Sequence, residues 1–358
     1  MQQRKTAILT LEDGTQFVGK SFGYEMPCAG EVVFSTAMAG YPESLTDPSY
    51  SGQILVTTYP SLGNYGVPPQ VIENGLSKYL DSEKIQCKAI ICQDYSWDYS
   101  HWQATRSLSE WLTQERVVGL YGMDTRALTK KIRDNGSMLG KITFESESEI
   151  DFENPNLENL VSKVSCSEIL EYGAGDKTVA VLDCGVKHYI IRALIERGVK
   201  VVRLPWNTDL SKITYDGLII SDGPGNPELL SSVVENVKYA LSQDKPVFGI
   251  CLGNELMALA AGAKTYKLKY GHRGHNQPVR RNGSNRCYIT TQNHGYSVDV
   301  TTLPSDWKEL YVNMNDNTNE GIQHHDKPFF GVQFLPEANG EPQDTTCVFD
   351  EFFKLLDC

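Results

Sequence analysis

The second half of the chain alternates short apolar runs with amphipathic stretches. Thr178–Asp183 is apolar almost throughout, and residues 189–197 space their apolar positions as a helix that Gly198 closes. Residues 200–204, 217–220 and 246–250 repeat the apolar run, with a helical stretch at 229–242 between the last two. Runs buried on both faces and separated by helices predict a parallel sheet covered on both sides. Residues 1–150 are more mixed. Strand-like segments fall at 6–11, 30–34, 53–59 and 88–92, and helical spacing at 107–114 and 125–135, the latter stopped by Gly136. Residues 151–175 are acidic and punctuated by Pro155, Gly173 and Gly175. The expected organisation is a mixed α/β domain over 1–150, a linker over 151–175 and an α/β domain with a central, mostly parallel sheet over 176–358.

Composition narrows the function classes. The 358 residues carry a formal net charge of −12 and 40% hydrophobic residues. The acidic balance disfavours nucleic acid and anionic membrane as partners. No apolar run approaches the roughly 20 residues of a membrane span. The nine cysteines are scattered without a C-x-x-C pair, as expected of reduced thiols in the cytoplasm, or in the mitochondrial matrix if a transit peptide has been removed.

One segment carries the clearest chemistry. In Gly249-Ile-Cys251-Leu-Gly253 an apolar strand ends in a cysteine with glycines two residues away on each side, and helical spacing follows over 254–261. This is the pattern of a nucleophile elbow, with cysteine in place of serine. Glycines permit the tight turn, and a helix N-terminus favours the thiolate. A buried strand cysteine is the plainer alternative, but it leaves the two glycines unexplained. Ser221-Asp-Gly223-Pro-Gly225-Asn-Pro227 follows the third apolar run and turns sharply, which suits backbone oxyanion donors as well as an ordinary turn. Thr291-Gln-Asn293-His294-Gly295-Tyr296 offers amide and backbone groups to a ligand, a weak signal alone. Gly262-Ala-Lys264-Thr265 lacks the Gly-Lys-Thr adjacency of a phosphate loop. His272 and His275 have no second ligand pair nearby in sequence, so no metal is expected.

Together these motifs resemble class I glutamine amidotransferases. Leu11-Glu-Asp-Gly14, Gly30-Glu-Val-Val-Phe34, Gly40-Tyr-Pro-Glu43, Thr46-Asp-Pro-Ser-Tyr50, Gly63-Asn-Tyr-Gly66 and Gly122-Met-Asp-Thr-Arg126 extend the resemblance to the small subunit, or glutaminase region, of carbamoyl phosphate synthetase. Lys264-Thr-Tyr-Lys267 and Gly274-His-Asn-Gln-Pro278 look closest to eukaryotic forms. In that family a cysteine attacks the side-chain amide of glutamine, a histidine shuttles the proton, and a glutamate two residues later orients the histidine. Ammonia passes to a synthetase large subunit or synthetase domains, where ATP, magnesium and bicarbonate are used; no cofactor is implied in this chain. By position, Cys251 is the nucleophile and Glu337 the orienting carboxylate. Gly223 and Leu252 match the oxyanion donors, and Ser49, Gly225, Asn293, Gly295 and Tyr296 match positions that contact L-glutamine.

Two departures fall at the centre of that pattern. Leu335 stands where the family has histidine, and Asn254-Glu255 stands where it has His-Gln. Leucine can neither accept nor donate a proton. A carboxylate at 255 would repel that of glutamine unless protonated or paired. No histidine follows His325, and extended chain at about 3.3 Å per residue carries His324 and His325 far from position 335. Gly-Asn after the nucleophile also resembles the ammonia-using carbamoyl phosphate synthetases, the best known of which has lost the cysteine that this chain keeps. The resemblance therefore implies a glutaminase region with impaired hydrolysis, serving an ammonia-using partner. An active glutaminase for pyrimidine or arginine/urea synthesis and a non-catalytic scaffold remain alternatives.

Overall fold

The structure, a computed structural model, describes residues 4–145, 149–336 and 344–357. The chain forms two compact units, Met1–Asn156 and Leu157–Cys358.

The first unit is built on a closed barrel. Its strands are β1 (Thr6–Leu11), β2 (Gln16–Ser21), β3 (Cys28–Ser35), β4 (Gln53–Thr57), β5 (Ala89–Ile91), β6 (Val118–Tyr121) and β7 (Met138–Phe144), in the order β1-β7-β3-β4-β5-β6-β2. β1 alternates, burying Ala7, Leu9 and Leu11 and leaving the residues between them partly exposed. β3 is buried along its whole length, because it sits inside the barrel wall and under a helix layer. Gly30 is required there: a Cβ would come within 2.3 Å of the Gly52 carbonyl oxygen. Helix α1 (Leu108–Gln114) starts at a capping box in which Ser107 and Glu110 satisfy each other's backbone N–H groups. Helix α2 (Thr125–Asn135) starts at the Asp124 carboxylate, which accepts from Ala127 N–H at 2.8 Å, and ends at Gly136 with φ of 101°.

The second unit is a ten-stranded sheet. Its strands are β8 (Leu170–Tyr172), β9 (Thr178–Asp183), β10 (Lys200–Pro205), β11 (Gly217–Ile220), β12 (Val247–Ile250), β13 (Lys264–Arg281), β14 (Cys287–Asp299), β15 (Trp307–Asn313), β16 (Asn319–His324) and β17 (Phe329–Val332), in the order β8-β10-β9-β11-β12-β17-β16-β15-β13-β14. The run from β10 through β9, β11 and β12 to β17 is parallel, as the apolar runs predict. From β17 outward the sheet continues antiparallel through β16, β15, β13 and β14. Residues 271–278 lie within β13, in the long β13–β14 ribbon. Part of the stretch expected as linker also joins this unit: β8 pairs with β10, and Val161 is fully buried in the core.

The parallel core positions the site. Helices α3 (His188–Ile195), α4 (Ser231–Leu241), α5 (Leu252–Ala261) and α6 (Cys347–Leu356) cover it. Close approach of α5 to the sheet depends on glycine. A Cβ on Gly253 would lie 2.0 Å from the Ile220 carbonyl oxygen, and one on Gly249 would lie 2.6 Å from that of Gly253. Below the loop after β9, Arg203 and Asp183 form a buried ion pair at 2.8 Å. The other Asp183 oxygen accepts from Gly185 and Val186 N–H at 2.9 and 2.8 Å, which fixes that loop beside Gly223.

Candidate active site

Cys251 occupies the junction of β12 and α5. Its φ of 52° and ψ of −107° are strained for a residue with a side chain, the conformation in which a nucleophile is held on a sharp strand-to-helix turn. Its N–H donates to the Val332 carbonyl at 2.8 Å, which ties the elbow to the end of β17. Its carbonyl accepts from Asn254 N–H at 3.0 Å and opens the first turn of α5. The thiol is buried and points toward the Asn293 carbonyl oxygen, 3.7 Å away on β14.

Of the flanking positions, Leu252 and Asn293 adjoin Cys251. Leu252 is the first residue of α5, and Gly223 packs against it: a Cβ on Gly223 would meet Leu252 Cδ2 at 3.0 Å and the Cys184 carbonyl oxygen at 2.1 Å. The loop backbone can thus come this close only without a side chain at 223. Gly225 has φ of 95°, which favours glycine, and faces Leu160. Asn293, Gly295 and Tyr296 lie on β14, opposite Arg273 in the case of Asn293 and Lys267 in the case of Tyr296. Ser49 belongs to the first unit. It is buried, its N–H donates to Asp47 at 2.8 Å, and its Oγ has no hydrogen-bond partner among the described residues.

Leu335 is buried just past β17, where it bridges Thr291: its N–H donates to the Thr291 carbonyl at 2.9 Å. The backbone there is well held, and the side chain is hydrocarbon. Glu337 lies outside the described residues. His294, the histidine next to Asn293, directs Nδ1 to the Tyr296 carbonyl at 2.7 Å and Nε2 to Gln292 Oε1 at 3.2 Å.

Sequence reasoning missed Gln333. Its fully buried amide lies between the two drifted positions and the thiol. Nε2 donates to Glu255 Oε1 at 2.8 Å and lies 3.9 Å from Cys251 Sγ, while Oε1 accepts from Asn254 Nδ2 at 3.0 Å. The available signal was a polar residue inside the apolar run 329–334. Glu255 is 2% exposed. Burial pushes its carboxyl up to about 8, and the Gln333 hydrogen bond opposes that rise. At pH 7 the side chain is therefore mostly a neutral acid, so the repulsion expected of a carboxylate here is blunted.

A family profile described as glutamine amidotransferase class-I matches residues 180–355, and one described as carbamoyl-phosphate synthase small chain, CPSase domain, matches residues 9–142. The chain is 51% identical over 357 residues to the human "Carbamoyl-phosphate synthase [ammonia], mitochondrial", covering 98% of this chain and 24% of that protein. It is 50% identical to "Multifunctional protein pyr1-3" of Dictyostelium discoideum, with 98% and 17% covered. With "Multifunctional protein CAD" of Squalus acanthias the identity is 47%, with 97% and 16% covered. The chain thus spans a quarter or less of the length of these relatives. Two profiles in this order, an elbow cysteine on a parallel sheet and half-identity across nearly the whole chain place it in the carbamoyl phosphate synthetase small-subunit family, whose second domain is a class I glutamine amidotransferase.

Proposed function

We propose that this chain is the amidotransferase region of a carbamoyl phosphate synthetase whose partner draws nitrogen from free ammonia, with glutamine hydrolysis lost or strongly reduced. The observation that carries this reading is Leu335, a buried leucine held by Thr291 at the position of the family's general base. Attack by the Cys251 thiol on an amide requires that its proton be taken and then delivered to the departing ammonia. A histidine performs both steps; leucine performs neither. Removing the base from such a coupled pair costs on the order of 10⁴-fold in rate or more.

The retained fold supports a role in shaping or regulating the synthetase, as a subunit or as a region of a longer chain. ATP, magnesium and bicarbonate belong to that partner on this reading. L-glutamine remains a possible ligand, since Cys251, Gly223, Leu252, Asn293, Gly295 and Tyr296 are kept. The human relative's name, with its "[ammonia]" and "mitochondrial", agrees with this nitrogen source and with a mitochondrial location.

One observation favours a second reading, an active glutaminase: Cys251 keeps the strained elbow conformation of a nucleophile. The two are separated by assaying carbamoyl phosphate formation with the synthetase partner present. Ammonium is expected to support synthesis, and glutamine to give less than about one-hundredth of that rate. Comparable rates from the two nitrogen sources would exclude the ammonia-using reading.

A further inference from the structure

Behind the elbow, three strands bring two imidazoles and a carboxylate to one buried point. β13 and β14 pair so that His272 lies opposite His294, and β16 contributes Glu320. All three are buried, Glu320 completely. Glu320 Oε1 lies 3.4 Å from His272 Nδ1 and 3.8 Å from His294 Nε2, and one donor atom from each of the three lies within 4.8 Å of the others. Ligands held tetrahedrally at about 2.0–2.1 Å from a zinc ion are about 3.3–3.4 Å apart. Drawing the three donors together, by at most about 1.4 Å across the widest pair, converts the cluster into a coordination shell.

The outer ring nitrogens are already held as those of metal-bound histidines are. His272 Nε2–H donates to Asp316 Oδ2 at 2.8 Å, and His294 Nδ1–H donates to the Tyr296 carbonyl at 2.7 Å. A carboxylate or a backbone carbonyl behind each imidazole is the usual outer support of such a site. The carbonyl can only accept, so Nδ1 of His294 carries the proton. Nε2 of the same ring faces the centre of the cluster.

Acceptors surround His294 Nε2. Gln292 Oε1 is 3.2 Å away, and its amide nitrogen is turned to Thr290 Oγ1 at 3.1 Å. Asn313 Nδ2 donates to Glu320 Oε1 at 3.0 Å and lies 3.4 Å from His272 Nδ1 and 3.5 Å from Gln292 Oε1, but Glu320 Oε2 is buried without a hydrogen-bond partner among the described residues. A carboxylate oxygen left without a donor in a dry interior is unfavourable unless a proton or a cation reaches it.

We infer that His272, His294 and Glu320 form a site for one divalent cation of the zinc class, with Gln292 Oε1 or a water completing the tetrahedron. Two imidazole nitrogens and one carboxylate are a donor set that zinc takes readily. The ion would join β13, β14 and β16 directly behind the pocket. Glu320 is tied through its carbonyl to Gln333 N–H at 2.9 Å, and His294 adjoins Asn293, whose carbonyl meets the Cys251 thiol. The role is structural support of the pocket floor, independent of which nitrogen source the partner uses.

The test is calorimetric titration of the full chain, stripped with a chelator and dialysed, with zinc chloride. One equivalent per chain is expected. Glu320→Gln and His272→Gln should abolish that equivalent, and Asp316→Asn should weaken it about 10–100-fold. Cys287→Ser and Cys347→Ser, which remove two of the more accessible thiols, should leave it unchanged. Cobalt(II) in place of zinc should give a tetrahedral spectrum without a thiolate charge-transfer band. Absence of a stoichiometric equivalent in the unmodified chain would overturn the inference, since a protonated His272 between Asp316 and Glu320 would then fill the centre. Undiminished binding in Glu320→Gln, or a thiolate band with cobalt, would overturn it as well. Because the first result needs no variant, misfolding of any one variant leaves the test decisive.

Discussion

Replacing Glu255 by glutamine should make the protein more stable, and increasingly so as pH rises. Glu255 is 2% exposed and accepts from Gln333 Nε2 at 2.8 Å, a bond that a glutamine oxygen can also accept. Burial raises the folded-state pKa to about 8 from the ordinary 4.5. The folded chain therefore holds a proton that the unfolded chain releases across that interval. The stability associated with the neutral acid is complete below about pH 4.5 and is lost progressively as pH rises toward 8. The slope approaches 1.4 kcal/mol per pH unit inside the window, and the whole interval amounts to about 5 kcal/mol at most. Glutamine does not titrate, so subtracting the variant from the parent isolates this one group. Urea denaturation of both proteins at pH 5.5 and 7.0, with the transition of the second unit assigned by hydrogen exchange, should show the difference moving by about 2 kcal/mol in favour of the variant. A difference constant to within about 0.5 kcal/mol would mean that Glu255 is not held as the neutral acid, and the account of a blunted charge in the pocket would fail.

Three further outcomes follow from the same geometry. Asp183→Ala leaves Arg203 buried without its ion-pair partner and releases three N–H groups, of Cys166, Gly185 and Val186, and should destabilise the second unit by about 3–5 kcal/mol in chemical denaturation. Gly253→Ala forces a Cβ to 2.0 Å from the Ile220 carbonyl and should cost at least about 2 kcal/mol, read as a lowered Tm. The double change Leu335→His with Glu255→Gln should raise glutamine hydrolysis at least about 100-fold over the parent, checked by ammonia release. A double variant that folds yet shows no gain would mean that position 335 alone does not decide whether the site hydrolyses glutamine.

The parallel core was legible because its strands are continuous apolar runs separated by helices, and Thr178–Asp183 and Gly217–Ile220 form the strands that pattern predicts. The elbow was legible because two glycines flank one cysteine, and both are needed for α5 to meet the sheet. The antiparallel half was harder to read. β13 carries lysines, arginines and histidines along its 18 residues, so residues 271–278 resemble an exposed loop, although His272 and Arg273 are buried. Polar groups there are buried in pairs across strands, and pairing is not written into one strand's periodicity. For the same reason Gln333 and Glu320, set in buried strand ends, gave no signal of their link to Cys251, Asn254 and Glu255. Barrel closure in the first unit was likewise invisible, because it depends on β2 pairing with β6 about a hundred residues later.

The most direct test of the central claim is the rate at which the unmodified chain, with the proposed synthetase partner added, releases ammonia from glutamine. With leucine at the base position the rate should stay near the buffer background, several orders of magnitude below the roughly 1–10³ per second of typical enzymes. Turnover of glutamine at an ordinary enzymatic rate, abolished by Cys251→Ala, would contradict the account and identify this chain as a working glutaminase.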